Sequence, residues 1–496
     1  MAGTRLKVLL VSSEAVPFAK TGGLSDVVTA LAVSLERVGV DVRLLLPLYS
    51  SIQTEGLTGL PYKLAVPLGV LDEPATLFQG VLPASSLPVY FLANESLYRR
   101  GGIYGDRNNV PFADNARRFT LLNRGAFEAC RALKWRPDVI HVHDWPTALI
   151  PLYLRRWESA GFFERTASVL TIHNIGYQGT FPKQDLFVTQ LAWEELRDSD
   201  DEESTSINFL RTGLRFADLL TTVSPTYARE IQTAEFGSRM ETLLRERSDD
   251  LVGILNGIDY DSWNPENDPL VPHHYSHEDL SGKELDKREL QLHCGFSPDP
   301  AVPIIGMISR LVDQKGFVEL CSPGSGSLYQ ICTDMALQIV ILGTGEPWCE
   351  QELSALQSKL PNLRVFLEFN NKTAHLIEAG SDYFLMPSRY EPCGLNQMYS
   401  LRYGTLPIVR RTGGLADTVE QYDQGSGDGT GFLFDDLTPR SIYDVVGWAV
   451  WAWYNRREQV QAMRSRAMQR RFSWEKAAGE YLAAYRKAID RRRSRA

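Results

Sequence analysis

The sequence predicts an α/β protein made of two Rossmann-like, doubly wound domains. Short apolar runs alternate with amphipathic stretches, the alternation stops in a polar passage after about residue 255, and it restarts near residue 304. Parallel strands buried on both faces are apolar along their whole length, whereas the helices that cover them have one apolar face. The length of 496 residues suits two large domains better than one core.

The first half supplies one set of strands and helices. Apolar, often β-branched runs predict strands at 6–11, 41–47, 89–92, 139–142, 168–172 and 219–223. Amphipathic stretches between them predict helices at 25–37, 115–133, 208–215 and 227–231. Ligands of such sheets bind beyond the carboxyl ends of the strands, so the loops that follow the strands are the places to look for chemistry.

The second half repeats the pattern. Strands are predicted at 304–308, 338–342, 363–367, 383–386 and 406–409. The polar passage at 255–300 is predicted to be a connection and hinge, and the Gly/Ser-rich segment 321–327 a flexible loop. The final stretch, 474–489, has a helical apolar face and should pack against one of the domains.

Composition excludes several classes of protein. The 61 acidic and 52 basic residues give a net charge of −9, so no global positive field favours nucleic acid. No apolar run reaches the length that spans a bilayer, so no membrane partner is expected. None of the six cysteines stands in a C-x-x-C pair, which argues against a disulfide framework or a zinc ribbon. An intracellular enzyme is the expectation.

Two glycine- and lysine-bearing loops could bind an anion. Lys20-Thr21-Gly22-Gly23 follows the first strand and opens a helix, where backbone N–H groups and the helix dipole favour negative charge. The loop matches neither a P-loop nor a dinucleotide fingerprint, and a plain turn with a solvated lysine is the alternative. Arg310 and Lys315 follow the strand at 304–308, where two cations could neutralise a departing diphosphate or could form ordinary surface ion pairs.

Two further strand ends carry histidines. His141-Val142-His143-Asp144 could bind a metal, but the other ligands such a site needs are not evident, so a core histidine beside polar cleft groups is the simpler interpretation. His173-Asn174-Ile175-Gly176-Tyr177-Gln178 combines an imidazole, an amide and a phenol. That set suits the hydroxyl groups of a sugar, although an ordinary strand-to-helix loop would also look like this.

The densest signal lies near residue 391. Glu391 precedes Pro392 and a predicted helix start, so its carboxylate could cap the helix or bind a pair of sugar hydroxyls. Gly413-Gly414 offers a second anion cradle. Cys393 is predicted to be a packed small residue, because no base is apparent beside it.

Together these motifs resemble the family of bacterial glycogen synthases and plant starch synthases. The motifs are KTGGLSDV from Lys20, HDW from His143, HNIGYQ from His173, NGID from Asn256, RLVDQKG from Arg310, EPCGLNQ from Glu391 and RRTGGLADT from Arg410. The resemblance covers nearly the whole chain. It implies a GT-B fold, in which two Rossmann-like domains face a central cleft, and transfer of glucose from a nucleotide donor, usually ADP-glucose, to the non-reducing end of an α-1,4-glucan, with retention and without a cofactor or metal.

The resemblance also assigns residues. It places the expected domains at 1–257, acceptor and catalytic, and at 258–472, nucleotide-sugar binding, with a helix at 473–496 that packs back on the first. Lys20, Gly22, Gly23, Asp26 and Asn256 would lie near the donor, and the ring of Phe369 would stack on adenine. Asp144, His173 and Asn174, with Tyr177 and Gln178, would bind glucosyl hydroxyls. Arg310 and Lys315 would neutralise the diphosphate, and Glu391 would lie beside the glucosyl ring, among the substrate-binding residues Cys393, Gly394, Leu395, Thr412, Gly413 and Gly414.

Other interpretations stay open at this point. A different glucosyl transfer on the same fold, such as sucrose or trehalose-phosphate formation, is one; a catalytically idle glucan-binding relative is another, although it would be expected to lose Lys20, His173, Lys315 or Glu391. ADP-glucose and UDP-glucose are not distinguished, nor is an oligomeric state. Asn396 departs from the Thr or Ile of many relatives. A bacterial cytoplasmic location is expected, since no transit peptide precedes the first strand.

Overall fold

The computed structural model describes residues 5–107, 110–199 and 203–495. They form two compact units. Unit 1 comprises the chain as far as Val223, Ala228–Gly257, and the chain from Trp474 onward, whereas unit 2 comprises Ser224–Tyr227 and Ile258–Ser473. Each unit is an α/β layer structure around a mainly parallel sheet, so the predicted fold class is confirmed.

Unit 1 is built on a nine-stranded sheet and a small two-stranded one. Its strands are β1 (Lys7–Val11), β2 (Asp41–Pro47), β3 (Thr58–Leu68), β4 (Leu71–Val81), β5 (Pro88–Ala93), β6 (Val139–His143), β7 (Ala167–Ile172), β8 (Thr180–Pro182), β9 (Ser206–Asn208), β10 (Leu219–Thr222) and β11 (Leu251–Gly253). The large sheet has the order β11-β10-β7-β6-β1-β2-β5-β4-β3. All its pairs are parallel except those of β4 with β3 and β5. The six strands predicted for this half are present.

The β3–β4 hairpin escaped prediction for a physical reason. Its strands alternate buried and exposed residues, as strands with one solvent-facing side do, and they contain prolines and charged residues. Pro67 pairs with Asp72, and Ala65 pairs with Pro74. The uninterrupted apolar runs that reveal buried parallel strands are therefore missing from this edge of the sheet.

Helices cover the sheet of unit 1. They span Gly23–Arg37, Glu95–Tyr98, Asn115–Ala132, Ile150–Arg156, Leu186–Thr189, Trp193–Leu196, Phe209–Phe216, Glu241–Glu246 and Trp474–Arg495, and helix Pro225–Glu230 is divided between the two units. The last helix packs within unit 1 by the apolar face seen in the sequence. Its Tyr485 hydroxyl lies 2.9 Å from His141 Nδ1 on β6, and Arg492 donates to the carbonyls of Glu164 and Leu154. The arginine-rich end of the chain thus anchors this helix.

Unit 2 contains a six-stranded, fully parallel sheet. Its strands are β12 (Ile304–Ile308), β13 (Gln338–Leu342), β14 (Leu363–Phe366), β15 (Tyr383–Met386), β16 (Leu406–Arg410) and β17 (Phe432–Phe434), in the order β14-β13-β12-β15-β16-β17. Its helices span Ser281–His293, Phe317–Cys321, Leu328–Asp334, Pro347–Gln357, Asn371–Gly380, Asn396–Arg402, Gly413–Thr418, Pro439–Asn455 and Arg457–Gln469. No helix in the described part of the chain is long and apolar enough to cross a membrane.

The boundary between the two units, after Gly257, falls within the passage predicted as a connection, but the rest of that passage belongs to unit 2, so the prediction of a simple connection was wrong there. Asp268 is fully buried, where its carboxylate lies 2.6 Å from His375 Nδ1 and accepts a hydrogen bond from the Tyr403 hydroxyl. The Trp263 ring stacks on His375 with centroids 3.7 Å apart. The polar residues were misleading because they are bonded inside unit 2, and helix Ser281–His293 also lies in the predicted hinge.

The Gly/Ser-rich segment 321–327 also differs from its prediction. Cys321 ends one short helix and Ser327 precedes the next, and both residues are buried. The turn between them is closed by the Gly326 N–H donating to the Ser322 carbonyl at 2.8 Å. A hydrogen-bonded link between two helices replaces the expected flexible loop.

Candidate functional site

In unit 1 the candidate residues lie at the carboxyl ends of three neighbouring strands. β6 pairs with both β1 and β7 in parallel, so the loops that follow these strands meet at one edge of the sheet. These loops carry the Lys20–Gly23 segment, Asp144, and the segment from His173 to Gln178. In this unit the candidate residues therefore lie in loops beyond the carboxyl ends of the strands, where the sequence analysis placed them.

Glu14 organises the Lys20–Gly23 loop, and sequence reasoning missed it. Its buried carboxylate accepts hydrogen bonds from the Thr21 N–H at 2.5 Å, the Thr21 hydroxyl at 2.8 Å and the Tyr104 hydroxyl at 2.6 Å. The Gly22 N–H points to the same group at 3.4 Å. The available signal was an acidic residue three positions after a buried strand, since a buried carboxylate needs partners.

Lys20 itself is exposed and pairs with the first turn of the following helix. Its Nζ lies 2.8 Å from Asp26 Oδ1, and the two side chains are 48% and 37% exposed. An ion pair this exposed contributes little to stability. Lys20 can therefore exchange Asp26 for an anionic ligand at small cost.

Asp144 is held in a backbone conformation that few non-glycine residues adopt. Its φ is +55°, and its Oδ1 accepts hydrogen bonds from the N–H of His173 at 2.7 Å and of Asn174 at 3.4 Å. Such conformations are found where the surroundings enforce them, commonly at functional sites. Burial raises the pKa of Asp144 to about 7, although the two N–H donors act in the opposite direction. The carboxyl group thus titrates near neutral pH.

Two imidazoles lie beside Asp144. His143 Nδ1 and His173 Nε2 are 3.0 Å apart. Burial lowers the pKa of His173 to about 3 and that of His143 well below its usual value. Both rings are therefore neutral at pH 7, and one donates to the other. His141, by contrast, is a core residue bonded to Thr171 and Tyr485.

The loop after His173 divides into exposed and structural residues. Tyr177 is half exposed. The Asn174 side-chain oxygen accepts from the Gly176 N–H at 2.9 Å, which shapes the turn. Gln178 donates to the Ser238 carbonyl at 2.8 Å and accepts from Asn208 at 2.8 Å. The amide of Gln178 is thus used to fix the loop.

Asn256 is buried near the end of the unit 1 segment that follows β11. Among the described residues its Oδ1 atom has no hydrogen-bond partner. A buried acceptor without a partner costs free energy unless a ligand or water satisfies it.

In unit 2 the candidate residues again follow neighbouring strands. β12 pairs in parallel with β15, so the loop carrying Lys315 lies against the loop carrying Glu391. Lys315 Nζ is 2.5 Å from Glu391 Oε2, and the Ser388 hydroxyl donates to the same oxygen at 2.9 Å. The side chains of Lys315 and Glu391 are 19% and 7% exposed. The structure thus pairs two residues that the sequence analysis had assigned to different parts of the substrate, the diphosphate and the glucosyl ring.

The prediction that a helix starts at Pro392 was wrong. The helix begins at Asn396, four residues later, after Gly394 has taken a φ of +70°. The carboxylate of Glu391 is bonded to Lys315 and Ser388 instead of capping a helix. Proline misled the prediction because it also suits an irregular loop, and this loop bends before the helix begins.

Gly413 and Gly414 permit a close approach of two backbone segments. A Cβ at Gly413 would lie 1.9 Å from the Glu391 carbonyl oxygen, and one at Gly414 would lie 2.0 Å from the Cys393 carbonyl oxygen. The Gly414 N–H donates to Glu391 O at 3.1 Å, so this donor is used inside the protein and not by an anion. The glycines hold the Glu391 loop in place.

The other predicted residues of unit 2 lie around this pair. Cys393 and Thr412 are buried, and Leu395 is half-buried. Arg310 is exposed, and its guanidinium contacts Gln314 at 3.5 Å. Phe369 is 89% exposed between β14 and helix Asn371–Gly380, which leaves its ring available for stacking.

Comparison with known proteins gives one consistent result. The family model for the starch synthase catalytic domain matches residues 7–246, and that for glycosyl transferases group 1 matches residues 297–466. A glycogen synthase from Treponema denticola is 50% identical over 99% of this chain and 100% of its own length. Glycogen synthase 1 from Geobacter sulfurreducens is 44% identical over 99% of this chain and 97% of its own.

Solved structures agree with this result. The catalytic domain of starch synthase IV from Arabidopsis thaliana, bound to ADP and acarbose, matches with a TM-score of 0.88 and 31% identity over 98% of this chain and 100% of that one. A sucrose-phosphate synthase from Thermosynechococcus elongatus matches with a TM-score of 0.60 and 18% identity, which shows a shared fold alone.

Proposed function

Because the chain belongs to the family of bacterial glycogen synthases and plant starch synthases, we propose that it transfers glucose from ADP-glucose to the non-reducing end of an α-1,4-glucan and releases ADP. Relatives named glycogen synthase span its full length, and its structural neighbour binds ADP. The observation that carries the proposal is the ion pair of partly buried Lys315 with buried Glu391, which places a cation for a leaving phosphate beside an anion for a sugar.

The leaving group is the first chemical problem. A departing diphosphate gains negative charge, and fixed cations in a partly buried site stabilise that charge more than water does. Lys315 supplies one such cation, and Arg310 in the same loop supplies a second. In unit 1, Lys20 is also available to a phosphate, because its exposed ion pair with Asp26 contributes little stability.

The glucosyl group is the second problem. The carboxylate of Asp144 can accept a hydrogen bond from a glucosyl hydroxyl. The neutral imidazole of His173 can donate to a hydroxyl or accept from one. Two backbone N–H groups already orient Asp144, so little order must be gained on binding. In unit 1, Tyr177 offers a further hydroxyl contact, whereas Gln178 fixes the loop. In unit 2, the backbone amides near Gly394 are proposed donors to sugar hydroxyls, whereas Gly413 and Gly414 fix the Glu391 loop.

The transition state has positive charge on the sugar ring. Glu391 opposes that charge, while attack by the acceptor hydroxyl occurs on the face from which the diphosphate leaves, with retention at the anomeric carbon. The acceptor proton goes to a leaving phosphate oxygen. Glu391 is a poor nucleophile because Oε2 is bonded to both Lys315 and Ser388, and Asp144 Oδ1 is bonded to backbone N–H groups. A trapped glucosyl ester on either carboxylate would contradict this route.

The direct test of the reaction is a pulse of ADP-[14C]glucose with a maltooligosaccharide. We expect label in a product one glucose longer and its release by β-amylase, which cleaves α-1,4 bonds from the non-reducing end. Label that resists β-amylase, or label in free sugar or sucrose, would contradict the proposal and favour another transfer on the same fold.

The bacterial relatives also support a bacterial cytoplasmic location.

Titration of Asp144 predicts a pH dependence. Its folded pKa of about 7 means that the carboxyl is protonated below that pH and ionised above it. Since the ionised form accepts the glucosyl hydroxyl, kcat/KM for ADP-glucose should fall about tenfold per pH unit below pH 7 and level off above it. Asp144→Asn should lower kcat/KM and remove this limb. Asp444→Asn, in an exposed ion pair with Arg440, should leave the profile unchanged.

Stacking of adenine on Phe369 predicts a selective effect on the donor. Loss of a base–aromatic stack costs about 1–3 kcal/mol, so Phe369→Ala should raise KM for ADP-glucose roughly 5- to 150-fold. Phe369→Tyr keeps a flat ring and should behave like the wild type. An unchanged KM for ADP-glucose in Phe369→Ala, measured at saturating glycogen, would contradict stacking of adenine on this ring.

A further inference from the structure

Arg389 joins the two loops that carry Lys315 and Glu391. Its Nη2 lies 2.8 Å from Asp313 Oδ1 and 2.8 Å from Glu319 Oε1. Asp313 begins the short 3-10 turn that ends at Lys315, and Glu319 lies in the helix that follows it. One guanidinium thus contacts the chain on both sides of Lys315.

The backbone of the same segment adds to this connection. The Arg389 N–H donates to the Gln314 carbonyl at 2.8 Å, and the Gln314 side chain donates to the Tyr390 carbonyl at 3.3 Å. Gly316 lies so close to Pro387 that a Cβ would be 1.9 Å from the Pro387 carbonyl oxygen. The residues on either side of Lys315 are therefore bonded or packed against the residues before Glu391.

The flexible side chain of Lys315 makes the position of its backbone important. Lysine is a compact charge on a flexible four-carbon chain, so its position depends on the backbone that carries it. The Arg389–Asp313 contact is exposed, with Asp313 at 54%, whereas Glu319 is only 13% exposed. The contact with Glu319 is therefore the less screened of the two.

We propose that Arg389 is a positioning residue, which sets the place of Lys315 relative to Glu391 without touching the substrate. The proposal rests on the function proposed above, because the position of Lys315 matters only if its ammonium meets the leaving phosphate. The arginine acts through Lys315, so its contribution should disappear when Lys315 is absent. A residue that merely stabilises the fold would contribute equally in both backgrounds.

A double-mutant cycle in kcat tests this prediction. Arg389→Ala should lower kcat roughly 10- to 100-fold, the scale of a reacting group displaced by about 1 Å, with KM for ADP-glucose and for glycogen within about twofold of wild type. In a Lys315→Ala background the same change should cost less than threefold. Equal losses in the two backgrounds, or an unchanged kcat in Arg389→Ala, would overturn the proposal.

Two further variants keep the test sharp. Glu319→Gln keeps Arg389 and the shape of the glutamate side chain. It should lower kcat in the wild-type background but not in the Lys315→Ala background. If Arg389→Ala does not fold, this variant tests the positioning role in its place. Arg440→Ala removes an exposed arginine from a surface ion pair and should leave kcat unchanged. Absence of glucosyl transfer in the wild type would count against the proposed function, whereas an active wild type with additive variants would count against Arg389 alone.

Discussion

Lys315→Ala is expected to lower kcat by at least about 100-fold, the loss seen when one preorganised charge contact to a transition state is removed. The Lys315 side chain is 19% exposed and its ammonium is bonded to Glu391, so the charge is partly desolvated and oriented before the substrate arrives. A water molecule in its place cannot supply a fixed positive charge to the diphosphate. Steady-state rates of ADP release at saturating donor and glycogen measure the effect.

Lys359→Ala is the matched control for this variant. Lys359 is an exposed lysine of unit 2, outside the loops described above, and its removal should leave kcat within twofold of wild type. Near-normal turnover by Lys315→Ala, with an intact fold by circular dichroism, would exclude Lys315 from stabilisation of the leaving group.

Glu391→Gln is expected to lower kcat roughly 100- to 1,000-fold for the complementary reason. The carboxylate is 7% exposed, and it is the anion proposed to oppose the positive charge of the sugar ring. Glutamine keeps the shape and can still accept from Ser388, so the change removes charge with little change in packing. It also leaves Lys315 without its anionic partner.

Two measurements check this second prediction. kcat should fall much more than the affinity for ADP, because ADP contains no glucosyl ring. Asp444→Asn removes an equal charge from an exposed ion pair and should have no effect on kcat. A Glu391→Gln enzyme that keeps more than a tenth of wild-type turnover would show that another group stabilises the ring.

Much of the central fold could be predicted because the physics there is local. The strands at 304–308, 338–342 and 383–386 are present with the predicted bounds, since parallel strands buried on both faces are apolar without interruption. The family resemblance, which rests on motifs in both halves of the chain, is confirmed by full-length relatives. The candidate site residues were predicted from the residue types that follow the strand ends, and their roles stay predictions.

Features that depend on distant partners could not be predicted in this way. Asp268 is polar in the sequence but is buried by His375, which lies more than a hundred positions along the chain. Glu14 holds the Lys20 loop with the help of Tyr104, and Lys315 meets Glu391 across two strands. Spacing along one sequence does not encode such pairings, so carboxylates that fix loops are easily mistaken for solvated ones.

Incorporation of labelled glucose into glycogen from ADP-glucose and UDP-glucose, run side by side with and without a chelator, tests the proposed reaction itself. We expect kcat/KM to be at least tenfold higher with ADP-glucose and unchanged on addition of chelator. Equal rates with the two donors would contradict the assignment of ADP-glucose. Loss of transfer on chelation would contradict a reaction in which the charges of Arg310 and Lys315 stabilise the leaving diphosphate without a metal.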